Sequence, residues 1–174
     1  KTWENLLEKE YERESRYHEN CSLIMFDIDH FKKVNDNYGH PAGDEVIRQT
    51  ADIIRQSIRK TDIAGRYGGE EYVILLPHTA VDSAYVLAER IRKKIAAKPA
   101  CYEDQVINYT VSLGVAAFHP SLKSPTSWID FADQALYQSK QSGRNATHIY
   151  QYPESDSQPE TSLAEPPQEK SQDT

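Results

Sequence analysis

Cysteine is nearly missing from this chain of 174 residues: Cys21 and Cys101 are the only two, and neither belongs to a Cys-x-x-Cys pair. Neither a disulfide framework nor a thiolate zinc site is therefore expected, and a reducing compartment suits the composition. The six histidines lack the close pairing of a helical zinc motif, so each reads as structural or exposed. Long hydrophobic runs are also lacking. No stretch approaches the roughly 18 apolar residues that a spanning helix needs, and no secretory leader opens the sequence. Nor is there a surplus of positive charge. The formal net charge is −7; beyond residue 150 six acids stand against one lysine, which leaves −2 for the rest. A near-neutral domain has no bulk electrostatic reason to bind a nucleic acid polymer, although a local basic pocket is compatible with it. The chain begins at Lys1 rather than Met. It reads as an excised cytoplasmic domain whose N-terminal sensor or dimerisation region is missing, and that region could attach the full-length protein to a membrane.

What is present suits one soluble domain with a substantial core, since 38% of the residues are hydrophobic and 27% charged. The domain is expected over residues 1–150. Residues 151–174, rich in Pro, Ser, Glu and Gln, bury too little apolar surface to offset their ordering entropy and read as a disordered tail. The stretch with most chemistry runs from Asp62 to Leu76. It places Gly68-Gly69-Glu70-Glu71 between two strand-like runs, a hairpin signal, because glycine reaches positive φ without steric cost. A charged group such as a triphosphate could approach that bare backbone, with Glu70 and Glu71 as hard oxygen ligands for Mg²⁺. Residue type alone also fits an ordinary solvated hairpin.

A second acidic strand end supports the chemical reading. From Cys21 an apolar run, Cys21-Ser22-Leu23-Ile24-Met25-Phe26, stops in Asp27-Ile28-Asp29, as a buried strand ending in a cleft would. Asp27 and Asp29 are read as facing opposite sides of the strand, so that only one of them joins the hairpin carboxylates. Around these strands, helices are expected over residues 2–20, Phe31 to Tyr38, 81–97 and 128–141. Another carries Val46, Ile47, Thr50, Ile53, Ile54 and Ile58 inward after a break at residues 39–44. Strands are expected over 105–108 and 110–118, a loop over 120–126, and an edge strand over 145–150. By residue type, Asp44 reads as a helix cap, Arg59 as a helix-dipole partner, Arg90 as a solvated surface residue, and Lys140 and Arg144 as solvated cations at a helix end.

Several motifs in order and spacing carry a resemblance. Asp27-Ile28-Asp29-His30-Phe31-Lys32-Lys33-Val34-Asn35-Asp36, Gly68-Gly69-Glu70-Glu71-Tyr72, Ala132-Asp133-Gln134-Ala135-Leu136-Tyr137 and Lys140-Gln141-Ser142-Gly143-Arg144-Asn145 together resemble a GGDEF-domain diguanylate cyclase, over about residues 2–150. The resemblance implies an α/β (α+β) fold: a mostly antiparallel five-stranded sheet flanked by helices, like that of nucleotidyl cyclases and polymerase palms. It implies condensation of two GTP into cyclic di-GMP across a homodimer, with two Mg²⁺ or Mn²⁺ per site. It places Asp27, the Ile28 carbonyl, Glu70 and Glu71 around the metal, with Glu70 the first choice of general base and Glu71 a further ligand or proton acceptor. Lys32 would neutralise phosphate charge, helped by backbone near Phe31; Asn35 and Asp44 would read guanine with His40 close by; Lys140 and Arg144 would hold the triphosphate. Arg59, Asp62 and Arg90 would form an inhibitory site for cyclic di-GMP. Arg66 reads as structural. Tyr72 stands where the family usually has Phe, and its hydroxyl needs a partner if buried. The alternatives are a catalytically silent module that binds GTP or cyclic di-GMP, and a cyclase acting on a single nucleotide.

Overall fold

The computed structural model describes residues 2–154. Its centre is β1 (Cys21–Ile28), buried along its whole length. A strand can be apolar on both faces only where both are covered, and the rest of the chain covers them. β3 (Glu71–Pro77) and β6 (Val111–Ala117) flank β1 antiparallel; β2 (Ile63–Arg66) pairs antiparallel with β3; β7 (Thr147–Ile149) runs parallel to β6. The sheet order is β2-β3-β1-β6-β7. Mostly antiparallel and five-stranded, the sheet matches the architecture expected.

Alternation along β1 divides the core in two. Ile24, Phe26 and Ile28 join Tyr72, Ile74, Leu113 and Val115 against α3 (His40–Ser57) and α4 (Val81–Ala97). Cys21, Leu23 and Met25 join Val73, Leu75, Leu7, Trp128, Ala132 and Leu136, packing against α1 (Trp3–Tyr17) and α5 (Pro125–Gln141). Asp27 continues the second set. Its register partner across β1 and β3 is Glu71, so two carboxylates sit opposite each other at the sheet end that meets Lys140 of α5.

The structure corrects several expectations. Residues two apart in a strand share a face, so alternation does not separate Asp27 from Asp29; the strand end at Ile28 does. The break at 39–44 shrinks to Gly39, whose φ of +88° turns the chain from α2 (Phe31–Tyr38) straight into α3. Pro41 falls at the helix start, where its missing N–H costs nothing. Asp44 is therefore inside α3 and caps nothing. α5 starts earlier than expected because Ser124 and Ser127 form a reciprocal capping box ahead of Trp128. β4 (Ala100–Tyr102) and β5 (Gln105–Ile107) form a separate hairpin, of which only the second strand was expected. Tyr152, grouped with the tail by composition, donates to the Ala117 carbonyl at 2.6 Å and stacks on His119. Residues 155–174 of the tail lie outside the described residues.

Candidate active site

The sheet end where β1 stops and β3 starts opens into a cleft of about 220 Å³. It is lined by Asp27, Ile28, Asp29, His30, Phe31, Lys32, Glu70, Lys140 and Arg144. The backbone builds this convergence: Ile28 N–H donates to the Glu70 carbonyl at 3.2 Å, tying the strand end to the hairpin. After the strand, His30 takes a left-handed conformation (φ +54°) and redirects the chain into α2, so Phe31 and Lys32 meet the cleft in its first helical turn. First-turn N–H groups lack partners within a helix and face anions readily.

Asp27 accepts from Lys140 Nζ at 2.5 Å. Burial nevertheless pushes its carboxyl above the ordinary carboxylate value; Lys140 pulls the other way, and Glu70 and Asp29 add to the rise. Glu71 is raised as well, first by burial and then by the charge of Asp27. Asp27 is buried and Glu71 half-buried, so a nearby cation would ease the ionisation of both, and hard oxygens suit Mg²⁺ or Mn²⁺. Asp27, the Ile28 carbonyl and Glu70 thus fit a divalent cation. Glu71 does not line the cleft; it folds back over the turn, where a Cβ on Gly68 would come within 2.6 Å of its Oε2.

Asn35, His40 and Asp44 stand beyond the cleft on α2 and α3. A Cβ on Gly43 would lie 1.9 Å from Asn35 Oδ1 and 3.2 Å from the Phe31 ring, so the absent side chain leaves the amide room beside Asp44. His40 and Asp44 are exposed, free to meet a ligand. Arg59, Asp62 and Arg90 line a separate cleft of about 390 Å³ with Ser57 and Leu87, sharing no residue with the first. Asp62 Oδ2 accepts from Arg59 N–H at 2.7 Å, and Arg90 donates to the Ser57 carbonyl at 2.7 Å.

Two residues outside both clefts behave as structural parts. Arg66 donates through Nε and Nη2 to the Gly69 carbonyl, pinning the hairpin turn. Tyr72 is buried, stacks on Phe26 with centroids 4.9 Å apart, and donates to the Ile47 carbonyl at 3.2 Å, which supplies its hydroxyl with the partner it needs. Among the described residues, the trio of metal-binding groups most tightly gathered is elsewhere: Glu10, Glu14 and Cys21, with one ligand atom from each within 4.8 Å. Arg13 already serves those acids as cation, with contacts of 3.2 and 3.0 Å.

Sequence reasoning left Asp29 undecided. It is 6% exposed and accepts from the Thr110 and Ser112 hydroxyls, each at 2.7 Å, and from Asn145 N–H at 3.0 Å. Both oxygens are occupied. Arg92, which the sequence did not single out, reaches Asn145 from α4. Nothing in its spacing signals that contact.

A sequence model of the family described as "Diguanylate cyclase, GGDEF domain" matches residues 1–146. This chain belongs to that family. It is 47% identical over 127 residues to diguanylate cyclase A of Treponema denticola, covering 73% of this chain and 34% of that protein. To the response regulator PleD of Caulobacter vibrioides it is 42% identical, covering 72% and 28%. The GGDEF domain thus spans about a third of the length of these relatives. Among solved structures, the active GGEEF domain of a diguanylate cyclase from Vibrio cholerae superposes with a TM-score of 0.78 at 35% identity, covering 84% of this chain and 93% of that one. The GGDEF domain of DgcB from Caulobacter crescentus, solved in complex with c-di-GMP, gives 0.81 at 32% identity, covering 85% and 88%.

Proposed function

We propose that this GGDEF domain condenses two GTP molecules into cyclic di-GMP, releasing two pyrophosphates, and that it works as a homodimer. The observation that carries the reading is the single cleft in which Asp27, the Ile28 carbonyl and Glu70 meet Lys32, Lys140 and Arg144. Acids to hold divalent cations and bases to hold a polyphosphate are the two halves of a nucleotidyl-transfer site. The GGEEF domain from Vibrio cholerae, which also has Glu at the third signature position, is described as active.

Asp27, the Ile28 carbonyl and Glu70 would hold two Mg²⁺ or Mn²⁺; Glu71, folded back over the turn, would have to swing toward the cleft to serve as a further ligand or proton acceptor. When bound, the cations offset negative charge on the attacking oxygen, the phosphoryl oxygens and the leaving pyrophosphate. Lys32 neutralises charge that grows in the transition state, and Lys140 and Arg144 grip the polyphosphate. The amides near Phe31 assist at the start of α2. Asn35 and Asp44 match guanine, since a carboxylate accepts from N1–H and N2–H while an amide meets the ring edge, with His40 beside them. Glu70 takes the proton of the 3′-hydroxyl. One domain holds one nucleotide, so each 3′-hydroxyl attacks the α-phosphorus of the GTP held by a second copy. Cyclic di-GMP returns as inhibitor to Arg59, Asp62 and Arg90.

Mass spectrometry of products from GTP and Mg²⁺ at several protein concentrations tests this. Cyclic di-GMP should form at a rate per chain that rises with concentration. GTP binding without product, even in a forced dimer, would make the domain a silent binding module. Turnover by strictly monomeric protein would make it a single-nucleotide cyclase. Glu70→Gln should lower turnover by about 10² or more while leaving the thermal transition in place.

A further inference from the structure

The turn that presents Arg144 is held from two sides by residues that the cleft itself does not explain. Gly143, Arg144 and Asn145 take φ of +111°, +65° and +45°, three successive left-handed residues of which two are not glycine. Such backbone persists only where its surroundings over-determine it. Arg144 N–H donates to the Ser139 carbonyl at 3.0 Å, which ties the start of the turn to α5, and Asn145 fixes its far end. Its N–H donates to Asp29 Oδ2 at 3.0 Å, while its carbonyl and its Oδ1 accept from Arg92 Nη1 at 3.3 and 2.9 Å. Each anchor is itself fixed. Asp29 is buried and takes hydroxyl hydrogens from Thr110 and Ser112. Arg92 is gripped by Glu89 at 2.5 and 3.0 Å, and Glu89 also accepts from the Thr147 hydroxyl at 3.0 Å.

We propose that Asp29 and Arg92 are positioning residues that act through Asn145 to lock the 143–145 turn, so that Arg144 faces the cleft of Asp27, Glu70 and Lys140 and meets the polyphosphate of a nucleoside triphosphate. This rests on the nucleotide reading of the cleft given above. Asp29 borders the cleft, and both its oxygens accept hydrogen bonds from the protein, Oδ2 from the turn itself. Arg92 does not line the cleft at all. Its guanidinium leaves α4 to cap a backbone carbonyl and an amide oxygen of one residue, and that residue directly follows Arg144. An exposed arginine on an unanchored turn samples many orientations, and apparent affinity falls in proportion to the fraction of time spent in the competent one. Locking the turn keeps that fraction high.

The test is calorimetric binding of GTP with Mg²⁺ to the whole chain and to three variants: Arg92→Ala, Arg144→Ala and the double variant. Guanosine serves as the ligand without phosphate. Arg92→Ala and Arg144→Ala should each weaken GTP about tenfold, corresponding to a turn held competent roughly a tenth of the time in the first case. The double variant should be no weaker than Arg144→Ala by more than about twofold, because residues acting through one contact do not add. Guanosine affinity should stay unchanged. Asp29→Asn, which keeps one carbonyl acceptor where the carboxylate has two, should likewise weaken GTP and leave guanosine unchanged. Losses that multiply in the double variant, or an equal weakening of guanosine, overturn the proposal. A parent chain that binds no GTP overturns the nucleotide reading instead. Amide exchange at Asn145 then decides the lock: exchange at least tenfold faster in Arg92→Ala supports it, and unchanged exchange overturns it.

Discussion

Lys140 Nζ on α5 donates to Asp27 Oδ2 on β1 at 2.5 Å, across 113 positions of sequence. The contact joins the cation expected to grip phosphate to the acid expected to hold metal. Burial raises the Asp27 carboxyl in spite of this partner, so its ionised form is disfavoured in the fold. The sign of the pH effect follows. An acid raised on folding costs stability above its folded pKa, and that cost vanishes as pH falls below the ordinary value of about 3.9. In metal-free buffer Lys140→Met should destabilise the domain by about 1–2 kcal/mol at pH 7, the pair being only partly buried. The deficit should shrink as the pH is lowered toward 4. Adding Asp27→Asn should restore the melting midpoint at neutral pH. Thermal melts across that range check it, and a deficit independent of pH would mean that Lys140 acts by packing alone.

Gly43→Ala separates recognition from stability. The new methyl would meet the tip of a flexible side chain, Asn35 Oδ1 at 1.9 Å, which can swing away. Alanine is also the better helix former, by roughly 1 kcal/mol. The melting midpoint should therefore change by only a few degrees. The KM for GTP should rise about tenfold or more, because the displaced amide no longer meets guanine. Steady-state kinetics with GTP decide it, and an unchanged KM would remove Asn35 from base recognition.

Gly114→Ala should do the reverse. Here a Cβ would sit 2.1 Å from the Ala132 carbonyl oxygen and 2.2 Å from the Leu136 nitrogen, both backbone of α5. Backbone cannot rotate aside, so the helix must lift from the sheet. A cost of about 3 kcal/mol is expected, equivalent to roughly 6–12 °C in the midpoint of a domain this size. Lys140 rides on the same helix and should lose its contact with Asp27, so activity should fall as well. Calorimetry of the purified variant reads the midpoint.

These residues also show what the sequence discloses. The strand through Asp27 and the hairpin bearing Glu70 were legible because both signals are local, an apolar run that stops and a Gly-Gly break between two strand-like runs; the reason given for the glycines was wrong, since neither Gly68 nor Gly69 takes a positive φ. The meeting of strand and hairpin in one cleft was implied by the resemblance to the GGDEF family, not by either local signal. The positions of Asp29 and Arg92 were not legible. Asp29 depends on hydroxyls about 80 residues away, and Arg92 on a turn 53 residues away. No periodicity encodes such pairs. The start of α3 was misplaced for a related reason: Pro41 and Gly43 look like loop residues, yet one suits a helix's first turn and the other makes room for Asn35.

The second cleft gives the last prediction. Arg59, Asp62 and Arg90 gather there, although Arg90 lies on α4 and the other two in the connection that follows α3, and no lining residue is shared with the cleft of Asp27. Arginine suits a guanine or phosphate ligand because its planar fork bonds an edge and stacks on a ring. The exposed side chain of Arg59 adds little to the fold, since the hydrogen bond to Asp62 comes from its backbone N–H and survives substitution. Arg59→Ala should therefore shift stability by no more than about 0.5 kcal/mol and leave the initial rate within about twofold. The concentration of cyclic di-GMP that halves the rate should rise about tenfold or more, the effect of losing a charge-assisted contact. Titrating product into initial-rate assays of parent and variant measures both numbers together. Equal inhibition of the two proteins would detach this cleft from feedback control and leave the catalytic cleft as the sole product site to consider.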